Sequence, residues 1–277
     1  MEHSGVGKWR DLGLRMLSAL ILVPVVLAAT WAGGVWFTLL VAVLGVAIAH
    51  EWSAILHEGD PKRFVLHAAA AISGALLPSE AGIMPALVFL AVLFAIALIV
   101  DAGDRRLSWW NSLGIPYIGL PAVALVVLRA DPLFGMKAIF WLLSIVWASD
   151  TAAYFAGRLI GGAKLAPVIS PNKTWAGATG ALAGSAIIGA LLGYALVGAA
   201  LAPAILAVVL SIIAQAGDLL KSALKRQHGL KDSGTLIPGH GGILDRVDGV
   251  VAAASAAAII GIIRAGPDIA AQGLLAW

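Results

Sequence analysis

Long apolar runs separated by short polar stretches dominate the sequence. Nine of these runs approach the ~17–25 residues that a transmembrane helix needs, at positions 16–32, 35–56, 64–77, 83–100, 113–128, 138–155, 175–197, 201–220 and 247–263. The pattern predicts an all-α, polytopic membrane protein with about nine transmembrane helices. The third run is short and Pro116 and Pro121 interrupt the fifth, so either helix could be kinked, tilted or re-entrant.

The runs fall into two regions. Residues 1–130 form an N-terminal transmembrane region of about five helices, and residues 131–277 form a C-terminal catalytic region of about four helices with two polar loops. Close helix packing is predicted around the seventh run, which carries small residues at Gly177, Gly180, Gly184 and Gly189. This packing permits a homodimer but does not require one.

Composition agrees with the membrane prediction. The chain is 61% hydrophobic and 12% charged, against roughly 45–50% and 25% in soluble domains. The absence of cysteine excludes disulfides, thiolate metal sites and cysteine nucleophiles. Since equally apolar runs follow the first one, we expect an uncleaved first helix rather than a signal peptide.

The basic residues lie mostly on one side of the predicted membrane. With nine helices and the amino terminus inside, 15 Lys and Arg fall on the cytoplasmic side and 3 on the other: Arg129, Lys137 and Arg264. This bias predicts a bacterial-type inner (plasma) membrane protein with a polar active-site cavity facing the cytoplasm. No nucleic-acid partner is expected.

The polar stretch 221–248 carries the densest candidate chemistry. Lys221, Ser222 and Lys225 share a helical face with Asp218, which suits either a metal with bound phosphates or an ion-pair ladder at a helix end. Asp245 and Asp248 are three residues apart and suit Mg²⁺. The preceding glycine-rich segment 238–242 allows close backbone approach to a ligand, and its His240 could bind phosphate or a metal or merely cap a turn.

A second polar stretch, Ser170-Pro171-Asn172-Lys173-Thr174, precedes the seventh helix. A helix start favours anions, and the alternative is an N-cap with a snorkelling lysine. Asp150, with Tyr154 one turn later, is a site candidate because ionisable residues at membrane depth usually face a partner or a polar cavity. His50 and Glu51 are weaker candidates for the same reason.

Together these residues resemble the signature of the phosphatidate cytidylyltransferase, or CDP-diacylglycerol synthase, family. The resemblance is carried by Ser222-x-x-Lys225-Arg226-x4-Lys231-Asp232-x5-Pro238-Gly239-His240-Gly241-Gly242-x-x-Asp245-Arg246-x-Asp248, and by Ser149-Asp150, Ala153-Tyr154 and Ser170–Thr174 before Trp175. It covers the catalytic third of the chain. One departure is Ala176, where family members commonly carry glutamate.

The resemblance implies transfer of CMP from CTP to phosphatidic acid within the lipid bilayer, giving CDP-diacylglycerol and pyrophosphate. It implies one or two Mg²⁺ ions, with a second, monovalent ion not excluded. The residues expected to hold metal are Asp218, Asp245 and Asp248; these, with Lys225 and Arg226, are the catalytic candidates. The expected substrate contacts are Asp150, Tyr154, Ser170, Asn172, Lys173, Thr174, Lys221, Ser222, Lys231, His240, Gly241, Gly242 and Arg246.

Two other functions fit some of the same features. Carboxylates buried in the membrane also line the ion pathways of transporters, although charge at mid-membrane and repeated or broken helices would then be expected. A related CTP-dependent enzyme acting on a polyprenol or an ether lipid would share the phosphate chemistry. We expect the active-site cavity between the sixth, eighth and ninth helices.

Overall fold

The structure is a computed structural model that describes residues 18, 20–57, 61–102, 109–230, 233–234, 236 and 241–277. Within this part, ten helices and one small hairpin follow one another along the chain. They are α1 (Leu20–Ala32), α2 (Gly34–His57), α3 (Pro61–Glu80), α4 (Ile83–Ala102), α5 (Trp110–Ala130), α6 (Gly135–Leu159), β1 (Lys164–Ala166), β2 (Ser170–Thr174), α7 (Trp175–Val197), α8 (Leu201–Gln227), α9 (Leu244–Ala265) and α10 (Ala270–Leu275).

The all-α, polytopic prediction is confirmed. Seven helices, α2 and α4 to α9, are long and apolar enough to cross a membrane, and α1 is a shorter apolar helix. The third predicted run forms α3, a helix of 20 residues, and α5 continues through both of its prolines. The count of nine transmembrane helices stays a prediction.

Small residues set the closest helix contacts, as the glycines of the seventh run predicted. A Cβ on Gly180 or Gly184 would collide with Ala156 or Ala152 of α6, and one on Gly189 would collide with Ala207 of α8. Because α7 lies this close to both neighbours, α6, α7 and α8 form one tightly packed group.

We call the end of the bundle where α2, α6 and α8 finish and α5 and α9 begin the charged end. Beneath it lies an apolar cluster that includes Trp52, Trp110, Leu224 and Leu244. The indole of Trp110 also donates to Oε1 of Gln227 at 2.6 Å, which ties the start of α5 to the end of α8. This packing fixes α2, α5, α8 and α9 relative to one another directly under the polar residues.

The opposite end of the bundle is held by polar caps. Asp131 Oδ1 accepts from the backbone N–H groups of Leu133 and Phe134 at 3.0 and 2.9 Å, and its Oδ2 accepts from Gln272 N at 2.8 Å. Arg129 donates from Nε to the carbonyl of Thr30 at 2.7 Å. These bonds join α1, α5, α6 and α10. They also give hydrogen-bond partners to backbone groups at helix ends, which have none within the helix.

Candidate active site

Six charged side chains from three elements meet at the charged end, and we call them the charged cluster. They are Asp218, Lys221 and Lys225 of α8, Asp245 and Asp248 of α9, and Lys173 of β2. Five of these six positions lie within the helices, because α8 and α9 extend further into the polar stretch 221–248 than hydropathy alone indicated. The helical spacing therefore turns their side chains towards one another.

Lys221 lies at the centre of the charged cluster. Its side chain is 4% exposed, and its Nζ lies 3.4 Å from Asp218 Oδ1, 3.0 Å from Asp245 Oδ1 and in close contact with Asp248 Oδ2. The ladder along one helix, which the sequence left open, is thus present between Asp218 and Lys221. It extends, however, to both carboxylates of α9, so the three aspartates converge on a single cation.

Two further lysines border the same carboxylates. Lys225 Nζ lies 2.6 Å from Asp245 Oδ1, and Lys173 forms an ion pair with Asp218 Oδ2. The three carboxylates and three ammoniums of the cluster balance in formal charge. Each charged group of the cluster already lies beside a group of opposite charge. A polyanion can therefore enter only if a lysine or an added cation rearranges with it.

The segment before α7 is a β-strand rather than a loop. β2 pairs antiparallel with β1, with Lys164 opposite Thr174 and Ala166 opposite Ser170. This hairpin was not predicted. Thr174 Oγ1 accepts from Gly177 N at 3.0 Å, so Thr174 is the N-cap of α7, which the sequence had offered as the alternative to an anion site.

Glu51 has a structural role that the sequence did not reveal. The residue is 1% exposed, and its carboxylate accepts from Ile243 N and Leu244 N at 2.8 Å each and from Ser233 Oγ at 3.1 Å. Ser233 N donates to Asp245 Oδ2 at 2.9 Å, and Ser233 Oγ lies 2.9 Å from the same oxygen, so its single hydroxyl proton is shared between the Glu51 and Asp245 carboxylates. Glu51 of α2 therefore fixes the start of α9 and, through Ser233, the orientation of Asp245.

Glycine is required where the chain just before α9 packs most closely against Glu51 and Ser233; we call this contact region the junction. A Cβ on Gly242 would collide with Ser233 Oγ and Glu51, and Gly241 adopts a left-handed φ of +82°. The lack of a side chain at Gly242 thus lets the backbone N–H groups of Ile243 and Leu244 reach the buried Glu51 carboxylate.

Other predicted site residues lie around the charged cluster rather than in it. Arg226 is exposed and donates to the carbonyls of Ile169 and Leu230, at 3.3 Å each. Tyr154 is exposed and accepts from Arg158 at 3.0 Å. The remaining positions are exposed or half-buried near the same end: Asp150, Ser170, Asn172, Ser222 and Arg246. Lys231 and His240 lie outside the described residues.

A partly enclosed cavity of about 410 Å³ opens beside the cluster, and we call it the apolar pocket. Asp150, Asp245 and Arg246 line one part of it, and the rest of the wall is largely apolar. The wall comes from α1, α2, α5, α6 and α9 and the residue before α9. The cavity expected from sequence shares α6 and α9 with this pocket, but in the described part of the chain α8 contributes nothing to its wall.

The three aspartates converge on the Lys221 ammonium, but within the residues described no group of three or more acidic or histidine side chains is arranged to hold a metal ion by itself. Mg²⁺ usually takes only one or two protein carboxylates, however, and completes its shell with water and substrate phosphates. Asp218, Asp245 and Asp248 already surround one cationic atom, so their oxygens fit a hard cation that arrives with a polyphosphate.

Comparisons with known proteins identify the family of this chain. Residues 13–263 match the model of the cytidylyltransferase family. A phosphatidate cytidylyltransferase of Brucella suis biovar 1 is 43% identical over 265 residues, covering 94% of this chain and 96% of that protein. One of Staphylococcus haemolyticus is 34% identical over 248 residues, covering 85% and 93%. One of Staphylococcus aureus strain COL is 33% identical over 249 residues, with the same coverage.

Proposed function

Because the chain belongs to the cytidylyltransferase family, we propose that it transfers CMP from CTP to phosphatidic acid, releasing pyrophosphate and forming CDP-diacylglycerol. The observation that carries the proposal is the charged cluster at one end of a multi-pass helical bundle. Such a position brings a nucleotide from water and a phosphate anchored in the bilayer to the same carboxylates and ammoniums. The roles of the individual site residues in this reaction are part of the same proposal.

The reaction needs no activated serine and no strong base. The lipid phosphate is already an anion, and one of its oxygens attacks the α-phosphorus of CTP while the bond to the pyrophosphate oxygen breaks. The protein's task is to bring two polyanions together and to stabilise charge on the leaving pyrophosphate. Lys173, Lys221 and Lys225 supply ammonium groups at the right place for this.

Asp218, Asp245 and Asp248 would hold magnesium in this proposal. A bound Mg²⁺ would supply positive charge that stabilises the charge developing during displacement. Carboxylates that held it would neutralise Lys221 and Lys225 less, which would leave these ammoniums available to phosphate oxygens. Asp245 contacts both Lys221 and Lys225, and Ser233 orients its carboxylate.

Glu51 acts in this scheme as a positioning residue. It holds the backbone at Ile243 and Leu244, from which Asp245 extends. The remaining candidates stay proposed substrate contacts, with Arg226 as a phosphate-screening cation: Asp150, Tyr154, Ser170, Asn172, Thr174, Ser222, Lys231, His240, Gly241, Gly242 and Arg246.

We place the charged end in the cytoplasm of a bacterial-type cell. The support is the basic asymmetry of the sequence, 15 residues against 3, together with CTP as a soluble cytoplasmic substrate. A charged end on this side lets CTP and Mg²⁺ reach the cluster directly from water.

The test is to reconstitute purified protein in liposomes with phosphatidic acid, CTP and Mg²⁺ and to measure CDP-lipid and pyrophosphate. We expect equal amounts of the two products and no activity after chelation of divalent metal. Bound CTP without a CDP-lipid would contradict the proposal and favour a CTP-dependent kinase, for which a polyprenol is the next substrate to try. Ion flux without CTP consumption would favour a transporter instead.

A further inference from the structure

The apolar pocket has a charged part and an apolar part, arranged along the helices. Asp150 and Asp245 lie at the charged end, whereas Phe37, Leu125 and Ile139 line the pocket towards the opposite end. Asp150 and Ile139 are eleven residues apart on α6, which is about 16 Å at 1.5 Å per residue. The pocket is therefore elongated along the helices and continuous with the charged cluster at Asp245.

The deep part of the pocket offers little to a polar ligand. Phe37 is 3% exposed and Ile139 is 1% exposed, so both belong to the packed interior as well as to the wall. Thr30 is the hydroxyl residue at this depth, and its Oγ1 already donates to the carbonyl of Val26 at 2.8 Å. A chain of methylene groups is the chemistry that such a wall accepts at least cost.

Tyr117 borders the pocket partway along its length. It lies on α5 seven residues after Trp110, about 10 Å into the helix, and lines the pocket while its ring packs on Trp52. Its hydroxyl is buried and has no hydrogen-bond partner among the residues described. A buried hydroxyl without a partner is costly, which indicates that a ligand group satisfies it in the working protein.

We propose that the apolar pocket binds one acyl chain of the phospholipid acceptor, with the Tyr117 hydroxyl donating to the ester carbonyl of that chain. The lipid phosphate then lies at the charged end beside Asp245, and the acyl chain extends along α6 towards Ile139. The second acyl chain stays in the bilayer. This inference rests on the proposed function, because it names where that function's lipid acceptor lies.

The first test maps the chain directly and does not depend on turnover. Phosphatidic acid with a photoactivatable diazirine near the end of one acyl chain is incorporated into nanodiscs with the wild-type protein, irradiated and analysed by peptide mass spectrometry. We expect labels on Phe37, Leu125 and Ile139 that excess unlabelled phosphatidic acid removes. Labelling confined to bilayer-facing residues such as Ile187, which is 59% exposed, would overturn the proposal.

The second test narrows the pocket. Leu125→Trp should lower kcat/KM for a dipalmitoyl acceptor by about tenfold or more while sparing a dioctanoyl acceptor, because overpacking excludes only the longer chain. Ile187→Trp is the matched control on the outer face of α7. A Leu125→Trp protein that uses both lipids as the wild type does would refute the pocket; if it folds poorly, the labelling map on the wild type still decides.

The third test addresses the ester carbonyl. Tyr117→Phe should reduce use of a diester acceptor about five- to tenfold, as expected for one lost hydrogen bond in a buried site, and should leave a diether acceptor of equal chain length unaffected. Equal losses with both lipids would show that Tyr117 supports the fold rather than the ligand. Failure of the wild type to form any CDP-lipid would instead refute the proposed function. The labelling map would then still show whether an acyl chain occupies the pocket.

Discussion

Replacing Glu51 by glutamine tests how the α2 carboxylate governs chemistry almost two hundred residues later in the chain. The carboxylate accepts from two backbone N–H groups and one hydroxyl while 1% exposed. Glutamine keeps the shape but exchanges one acceptor oxygen for an NH₂ group that faces N–H donors. At least one hydrogen bond to a charged group is lost, which costs about 2 kcal/mol.

That loss falls on the junction between Ser233 and the start of α9. A cost of about 2 kcal/mol corresponds to about 30-fold in the equilibrium between ordered and opened junctions. We therefore expect kcat/KM for CTP to fall by up to about 30-fold in Glu51→Gln, with less change in the melting temperature of the bundle. Glu51→Asp, which keeps the charge but shortens the side chain, should fall between the wild type and Glu51→Gln.

The assay combines turnover with hydrogen exchange of the peptide that contains Ile243 and Leu244. Exchange there should accelerate in Glu51→Gln and stay unchanged in Glu80→Gln, a control on an exposed glutamate at the far end of α3. A Glu51→Gln protein with normal turnover and unchanged exchange would refute the positioning role. Lost turnover with unchanged exchange would also refute it, because the carboxylate would then act on substrate directly.

Three further substitutions test the charged cluster and its support. Asp245→Asn should abolish CDP-lipid formation while the protein still inserts and folds, with the exposed Asp268→Asn as an active control; near-normal turnover would exclude Asp245 from the metal site. Lys221→Met leaves three carboxylates without their central cation, so the unfolding free energy should drop by about 3–5 kcal/mol and recover partly with Mg²⁺, measured by thermal unfolding; an unchanged melting temperature would contradict the central role of Lys221. Thr174→Ala should cost about 1 kcal/mol through loss of the α7 N-cap, whereas Thr179→Ala, which removes a hydroxyl within the same helix, should cost less in the same melt.

Hydropathy was sufficient to predict the positions of α1 to α9, because every long apolar run must satisfy its backbone internally within a membrane, whereas the six-residue α10 was not predicted. The small residues of the seventh run predicted close packing around α7, and the structure shows that Gly180 and Gly184 allow it to approach α6. Helical spacing also brought Asp218 and Lys221 onto one face. These features depend on residues that are close together in the chain, so the sequence alone was enough to predict them.

Contacts between distant segments were beyond the sequence. Glu51 reaches Leu244 across 193 residues, and no local pattern reveals which backbone groups a buried carboxylate will meet. The hairpin of β1 and β2 was missed because strands of three and five residues give almost no periodic signal. The apolar pocket was missed for a similar reason, since its wall combines residues from five helices.

In the proposed reaction the charged cluster transfers a cytidylyl group rather than a terminal phosphate. This transfer is tested most directly by supplying CTP labelled with ³²P at either the α or the γ position to the reconstituted protein with phosphatidic acid, and measuring label in the extracted lipid. We expect label in the lipid from the α position only, and none from either position with Asp245→Asn. Label in lipid from the γ position would contradict the proposed reaction, because the protein would then be a kinase.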